Sequence, residues 1–445
     1  MYSYNPVALK PHRGIAVTDI SLADQLFGLA KRLFPIGRSL TGDGVRETLG
    51  IIKEYLPDLN IHEVPTGTPC FDWTVPDEWN IRDAYVLDPT GKKIIDYKNN
   101  NLHVVGYSVP QDQTIALEAL QSHLHSLPDQ PDAIPYVTSY YRKTWGFCLT
   151  HTQRSQLAPG DYRVVIDSDL GPGSMTFAEW ILPGTSKREI LFSTNICHPS
   201  MANNEISGPV VVTHLARWLM QQKNRRYTYR ILFLPETIGS IYYLSKHLQH
   251  LQEHVISGFV VSCVGDDRCY SFIPSSSGDT LADRIARHVL KHHTATFNHY
   301  TFLNRGSDER QYCNARIELP VVCILRSAYG KYPEYHTSLD NLELISPEGL
   351  HGSYQALQRA ILCLEQNETL RNTVLCEPQL GKRGLYPTLY MRDKGAYVQN
   401  MRHILVYANG KKDLLTIAEL IGQPMWELLE IVSELKDQGL LEVVL

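Results

Sequence analysis

The chain has 445 residues, of which 43% are hydrophobic and 20% charged, an ordinary globular composition that excludes a disordered or fibrous protein. That length calls for two or three domains rather than one core. A formal net charge of −5 argues against a general nucleic-acid binder, which needs a basic surface.

The N-terminal stretch MYSYNPVALKPHRGIAV lacks the basic segment and apolar run of a secretory signal. No stretch approaches the roughly 18 consecutive apolar residues of a membrane span. The 9 cysteines are scattered without a CxxC pair, as expected of reduced thiols. A soluble cytoplasmic protein is expected.

Residues 18–56 read as two amphipathic helices, SLADQLFGLAKRLF and GDGVRETLGIIKEYL. Pro35, Gly37 and Gly42 break them apart, and Thr41 to Asp43 is the expected N-cap region. These helices, within residues 1–61, are assigned to the main domain. Residues 62–161 read as an inserted β-rich domain, in which AYVLD and IIDY flank the turn DPTGKK.

Over residues 162–377 the rhythm is α/β. RVVIDS, EILFST, YRILFLP, GFVVSCVG and LPVVCIL read as buried strands, separated by helical stretches such as GPVVVTHLARWLMQQ. This predicts a mostly parallel central sheet flanked by helices. Residues 378–445 read as three helices and a final strand, a winged helix, with Gly410, Gly422 and Gly439 at C-cap positions. Its third helix carries Glu427, Glu430, Glu434 and Asp437 against Lys436, and would repel DNA phosphates. A packing or partner-binding role is expected instead.

Polar residues gather where the α/β strands end, the place open sheets reserve for ligands. His198 follows EILFST, Glu236 follows YRILFLP, Asp266 and Asp267 follow GFVVSCVG, and His336 lies beyond LPVVCIL. Imidazoles and carboxylates converging from successive strands are the donors of a catalytic zinc that keeps a position for water. Asp340, four residues past His336, is placed to orient its ring.

The order strand–His–loop–SG–helix, strand–ExxGS, strand–D, GSDERQY (306–312) and YHTSLD (335–340) resembles the co-catalytic zinc aminopeptidase family. The insert at VPDEWNIRDAY, the entry loop IGRSLTGDGVRETL and the winged-helix tail resemble bacterial aminopeptidase-like proteins often associated with polysaccharide-biosynthesis genes. The resemblance implies His198, His336 and Asp266 as metal ligands, with Glu236 as general base or ligand. It also implies Arg310 or Tyr312 as substrate-binding, and Asn204, Asp308 and Asp340 as residues supporting the ligands.

Two positions depart from that pattern. The place of the metal-bridging aspartate is held by Asn204, and only Glu236 remains of the usual acidic pair. A neutral amide adds no charge to offset the repulsion of two cations. Glu205 is the one neighbour that could replace it, and one zinc is expected rather than two.

The resemblance implies a zinc-dependent amide-bond hydrolase, an aminopeptidase or N-deacylase acting on a small or peptide-like substrate in a biosynthetic pathway. The alternative is a non-catalytic relative that binds a small ligand or pathway partner. Neither nucleic acid nor membrane is expected as a partner, and a homo-oligomer is compatible with the sequence.

Overall fold

The computed structural model describes residues 18–385 and 395–444. Its centre is an eight-stranded sheet with the order Asn60–Pro65, Ser174–Leu182, Thr228–Leu234, Glu189–Asn195, Val255–Val260, Val321–Leu325, Ser271–Ile273, Asn298–His299. The strands Thr228–Leu234, Glu189–Asn195, Val255–Val260 and Val321–Leu325 run parallel, and antiparallel strands flank them. Glu189–Asn195 and Val321–Leu325 are buried at every position, as strands covered on both faces are.

Alternate residues of these strands serve two separate cores. Phe192, Ile231, Phe259 and Val322 face the helices Thr18–Leu33, Ser207–Gln221 and Pro347–Gln366. Leu191, Leu232, Val260 and Val321 face the helix Ile238–His254 and the insert. Covering both faces in this way is what confines polar groups to the strand ends.

The insert is built on a four-stranded antiparallel sheet ordered Lys93–Asp96, Glu78–Leu87, Asp161–Gly171, Gln111–Ala116. RVVIDS therefore belongs to the insert and not, as expected, to the central sheet. The reason lies in its periodicity: Tyr162, Val164 and Ile166 are buried while Arg163, Asp167 and Asp169 are exposed, the alternation of a half-buried strand. Thr41, expected to cap a helix, instead accepts the Trp79 backbone N–H at 3.0 Å and meets the Tyr107 hydroxyl at 2.7 Å. The entry loop thus ties the insert down.

At the C-terminus, three antiparallel strands ordered Asn409–Asp413, Thr369–Asn372, Leu441–Val443 join the helices Gly395–Tyr407, Leu414–Ile421 and Met425–Asp437 in a winged helix. Gly422 and Gly439 hold the left-handed backbone that the C-cap reading requires. The module begins with Thr369, ahead of the expected residue 378, and docks on the α/β domain. Arg284 donates twice to Asp413, at 2.9 and 3.0 Å, and the Met425 N–H donates to His288 Nε2 at 2.9 Å.

Candidate metal centre

His198 stands just beyond the strand Glu189–Asn195, and the chain then turns through Ser200 and a π-helical turn, Ala202–Ile206, into the helix Ser207–Gln221. The π-turn aims Glu205 back at the histidine. Glu205 Oε2 lies 2.7 Å from His198 Nδ1, and Oε1 accepts the His198 backbone N–H at 2.8 Å and that of Cys197. Nδ1 is thereby committed, and Nε2 faces Glu236 Oε2 at 3.5 Å. Buried Arg38 of the entry loop donates to the His198 carbonyl at 3.0 Å, fixing the backbone as well. Burial opposes protonation of His198, but Cys197 and Glu205 outweigh it and raise its pKa well above the ordinary histidine value.

Glu236 follows the strand Thr228–Leu234 and is half-buried, with its own N–H on Cys197 Sγ at 3.2 Å. The next residue, Thr237, sits at φ 66°, ψ −72°, which an L-residue rarely adopts. Asp308 holds this turn: its Oδ1 accepts the Thr237 N–H and the Ser240 hydroxyl, each at 2.8 Å. Burial, reinforced by the Glu236 charge, pushes the Asp308 carboxyl up to about 7, and its Oδ2 is shielded without a partner.

His336 also has a positive φ, 57°, and its ring centroid lies 5.5 Å from that of His198. Tyr335 stacks on it at 3.9 Å. Burial, with the nearby His198 charge, lowers the His336 pKa to about 3, so the imidazole is neutral and a potential donor. The insert completes the enclosure. The Tyr136 N–H donates to the His336 carbonyl at 2.9 Å, and the Tyr136 ring lies 5.1 Å from His198 and 5.3 Å from His336. Ser200, Thr237, Cys263 and His336 are all positive-φ residues at or near this edge of the sheet, where strain is commonly stored at functional sites.

Other expected residues take different places. Asp266 is fully buried with both oxygens engaged by Asn203 Nδ2, the Ser327 N–H and hydroxyl, and the Arg268 N–H, at 2.9 to 3.0 Å. It clamps these loops together rather than joining the histidines. Asp340 does not orient His336 as expected. It accepts the N–H groups of Asn203 and Asn204 at 2.6 and 3.0 Å and the Tyr332 hydroxyl at 3.0 Å, so it caps the π-turn. Tyr312 is fully buried, its hydroxyl 2.9 Å from Ser193 Oγ of the strand Glu189–Asn195. Asn204 lies between these groups, its Oδ1 shielded and without a partner.

Tyr136, Arg38 and Glu205 in its orienting role are contributions the sequence did not announce. The first two reach the site from other segments, and the third depends on a π-turn that has no sequence period. Among the described residues, two groups of metal-binding residue types stand close together, Cys197 with His198 and Glu205 at the strand end, and His288 with His292 and Glu419 at the winged helix. Both ring nitrogens of His288 are occupied, by Glu419 and the Met425 N–H, so it offers no free donor.

His198 Nε2 and Glu236 Oε2 stand 3.5 Å apart with the His336 ring beside them, two imidazoles and a carboxylate of the kinds that suit a zinc ion, and Glu205 is the outer carboxylate on His198 Nδ1. Asp266 and Asn204, where a second ion would need charge, offer an occupied carboxylate and a neutral amide.

Sheet order, strand-end site and winged helix together define an aminopeptidase-like α/β protein. The zinc aminopeptidase of Bacillus subtilis is similar in fold, with a TM-score of 0.56 at 12% identity, covering 79% of this chain and 96% of that one. Within that class, residues 27–367 match the family described as "Domain of unknown function (DUF4910)", to which the chain belongs, and residues 368–443 match a winged helix-turn-helix family. A Clostridium acetobutylicum relative named "Putative polysaccharide biosynthesis protein with aminopeptidase-like domain" is 45% identical over 404 residues, 89% of this chain and 91% of its own length. A crystal structure from that organism, described as a "putative peptidase", is 42% identical with a TM-score of 0.90, covering 96% of this chain and 98% of that one.

Proposed function

We propose that the protein is a zinc-dependent amide-bond hydrolase of aminopeptidase or N-deacylase type, acting in the cytoplasm on a small substrate of a polysaccharide or other biosynthetic pathway. The observation that carries this reading is the commitment of His198 Nδ1 to Glu205, which leaves Nε2 facing Glu236 beside the His336 ring. Among the described residues no helix is long and apolar enough to cross a membrane.

His198 and His336 would hold the ion, with Glu236 as third ligand or as the base beside it. When bound, zinc supplies an acidified water and polarises the scissile carbonyl. Glu236 as base takes a proton from the attacking water and delivers it to the leaving nitrogen. Asp308 fixes the strained turn that presents Glu236, and Tyr136 and Tyr335 shield the centre from bulk water. The winged helix serves in this reading as a docked packing module, because its acidic third helix is unsuited to DNA.

Glu236→Gln tests both the reaction and the role. With Glu236 as base, turnover of N-acyl amino acids, N-acyl sugars or dipeptides falls by about 10² to 10⁴-fold and zinc is retained. With Glu236 as ligand, zinc and turnover are lost together. The second reading is a ligand-binding, non-catalytic protein, favoured by the neutral Asn204 and the saturated Asp266. It requires that the wild type loaded with zinc turn over none of these compounds.

A further inference from the structure

Arg310 lies in the short helix Glu309–Tyr312, half-buried, and Nη2 donates to Thr237 Oγ1 at 2.6 Å, on the residue directly after Glu236. Its Nε is shielded and without a partner. Among the described residues Nη1 has no hydrogen bond, and no carboxylate stands at ion-pair distance from the guanidinium.

Other buried and half-buried arginines pair with carboxylates, lie over aromatic rings, as Arg326 and Arg359 do on Tyr270 and Trp426, or spread several bonds over neutral oxygens, as Arg154 does. Arg230 is paired with Glu189 and Glu179, Arg46 with Glu78 and Glu63, and Arg284 with Asp413. Arg38, more deeply buried, donates to the carbonyls of Leu33 and His198. Asp308, only two positions before Arg310, spends Oδ1 on Thr237 and Ser240 instead. The Arg310 charge nevertheless reaches the centre, since it acts on both the Asp308 carboxyl and the Tyr335 phenol that stacks on His336.

A half-buried guanidinium without a counter-ion lacks the pairing that normally offsets its desolvation. We infer that Arg310 binds the substrate's own carboxylate, so that the compound cleaved, on the hydrolase reading above, is an N-acyl amino acid or a peptide-like amide with a free carboxylate. A planar monoanion fits better than a phosphate dianion. Arg310's fork matches a carboxylate, and Glu236, Asp308 and Glu205 already make the site acidic.

The test uses the full-length protein loaded with zinc and a panel of N-acetyl amino acids, each paired with its methylamide, with binding followed by NMR. Wild type binds at least one free carboxylate about 10-fold or more tightly than its methylamide, the usual scale of a charge-assisted pair. Arg310→Met removes that preference and Arg310→Lys restores part of it, while zinc content and melting temperature stay at wild-type values. A wild type without any carboxylate preference overturns the inference, as does a preference that survives in Arg310→Met, which would place the anion on the metal. Because binding is read apart from turnover, a protein that prefers carboxylates but cleaves none fails the hydrolase reading and keeps this one.

Discussion

Glu205 holds His198 at two points: 2.7 Å from Oε2 to the ring Nδ1 and 2.8 Å from Oε1 to the backbone nitrogen. One carboxylate thus fixes both the tautomer and the position of the residue presented to the metal. Glu205→Gln keeps the volume but weakens the acceptor facing Nδ1. Zinc affinity is expected to fall about 10 to 100-fold, the range for lost outer-sphere support. Competition with a fluorescent chelator measures this, and unchanged affinity in a folded variant would remove Glu205 from the design.

Asn204 gives a second test. Asn204→Asp places a carboxylate at the bridging position, yet Asp266 remains bound to Asn203, Ser327 and Arg268. Zinc is therefore expected to stay near one per chain. Stability should drop by about 1–3 kcal/mol, because the shielded Oδ1 site offers the new charge no partner. Elemental analysis and a denaturant titration check both parts, and a stoichiometry of two would mean that Asp266 can be released from its clamp.

The places of His198 and Glu236 are legible because they follow closely on the buried strands Glu189–Asn195 and Thr228–Leu234, while His336 lies beyond a longer loop after Val321–Leu325. The orientation of side chains is not legible. Asp340 has the spacing to serve His336, yet it turns to the open N–H groups of the π-turn, whose unmet demand no residue pattern records. Tyr312 carries a hydroxyl that has the look of a ligand-binding group, but it is buried from its short helix against the small Ser193 of the strand Glu189–Asn195. The insert's boundary was misread because RVVIDS contains a β-branched run as well as an alternation, and the alternation decides.

Docking of the winged helix is expected to weaken in mild acid. His288 accepts the Met425 N–H at Nε2, which only the neutral ring can do, and burial lowers its pKa below the ordinary 6.5. A depressed histidine contributes stability in full above its unfolded pKa, and loses it as the pH falls from about 6.5 through the folded value. Buried His103 and His214 are shifted in the same direction, whereas His198, Asp308 and Asp340 are raised and gain stability as the pH falls, so the docking effect is read as the difference between wild type and a His288 variant. Glu419, whose pKa is lowered, loses its contribution only at more acidic pH. In melting curves from pH 7.5 to 5, His288→Leu should be less stable than wild type at pH 7.5, and the gap should narrow toward pH 5. An equal slope in the variant would assign the acid sensitivity elsewhere.

Tyr136 links the insert to the chemistry, and its two functions can be separated by substitution. The main-chain pairing with the His336 loop, which includes the Ser338 N–H on the Ile134 carbonyl at 2.9 Å, does not depend on its side chain. The ring packs against both histidines, and its hydroxyl lies 2.6 Å from that of Tyr140. Tyr136→Phe removes only the hydroxyl contact, so zinc affinity should stay within about threefold of wild type, a loss of well under 1 kcal/mol at the lower end of hydrogen-bond values. Tyr136→Ala removes the wall that sets the angle between the imidazoles. It should cost up to about 3 kcal/mol of stability and weaken zinc about 10-fold, because ligands that lose their support must be ordered by the metal itself. Chelator competition on both variants, alongside melting curves, decides the matter. Wild-type zinc affinity in Tyr136→Ala would leave the insert with the shaping of substrate access alone.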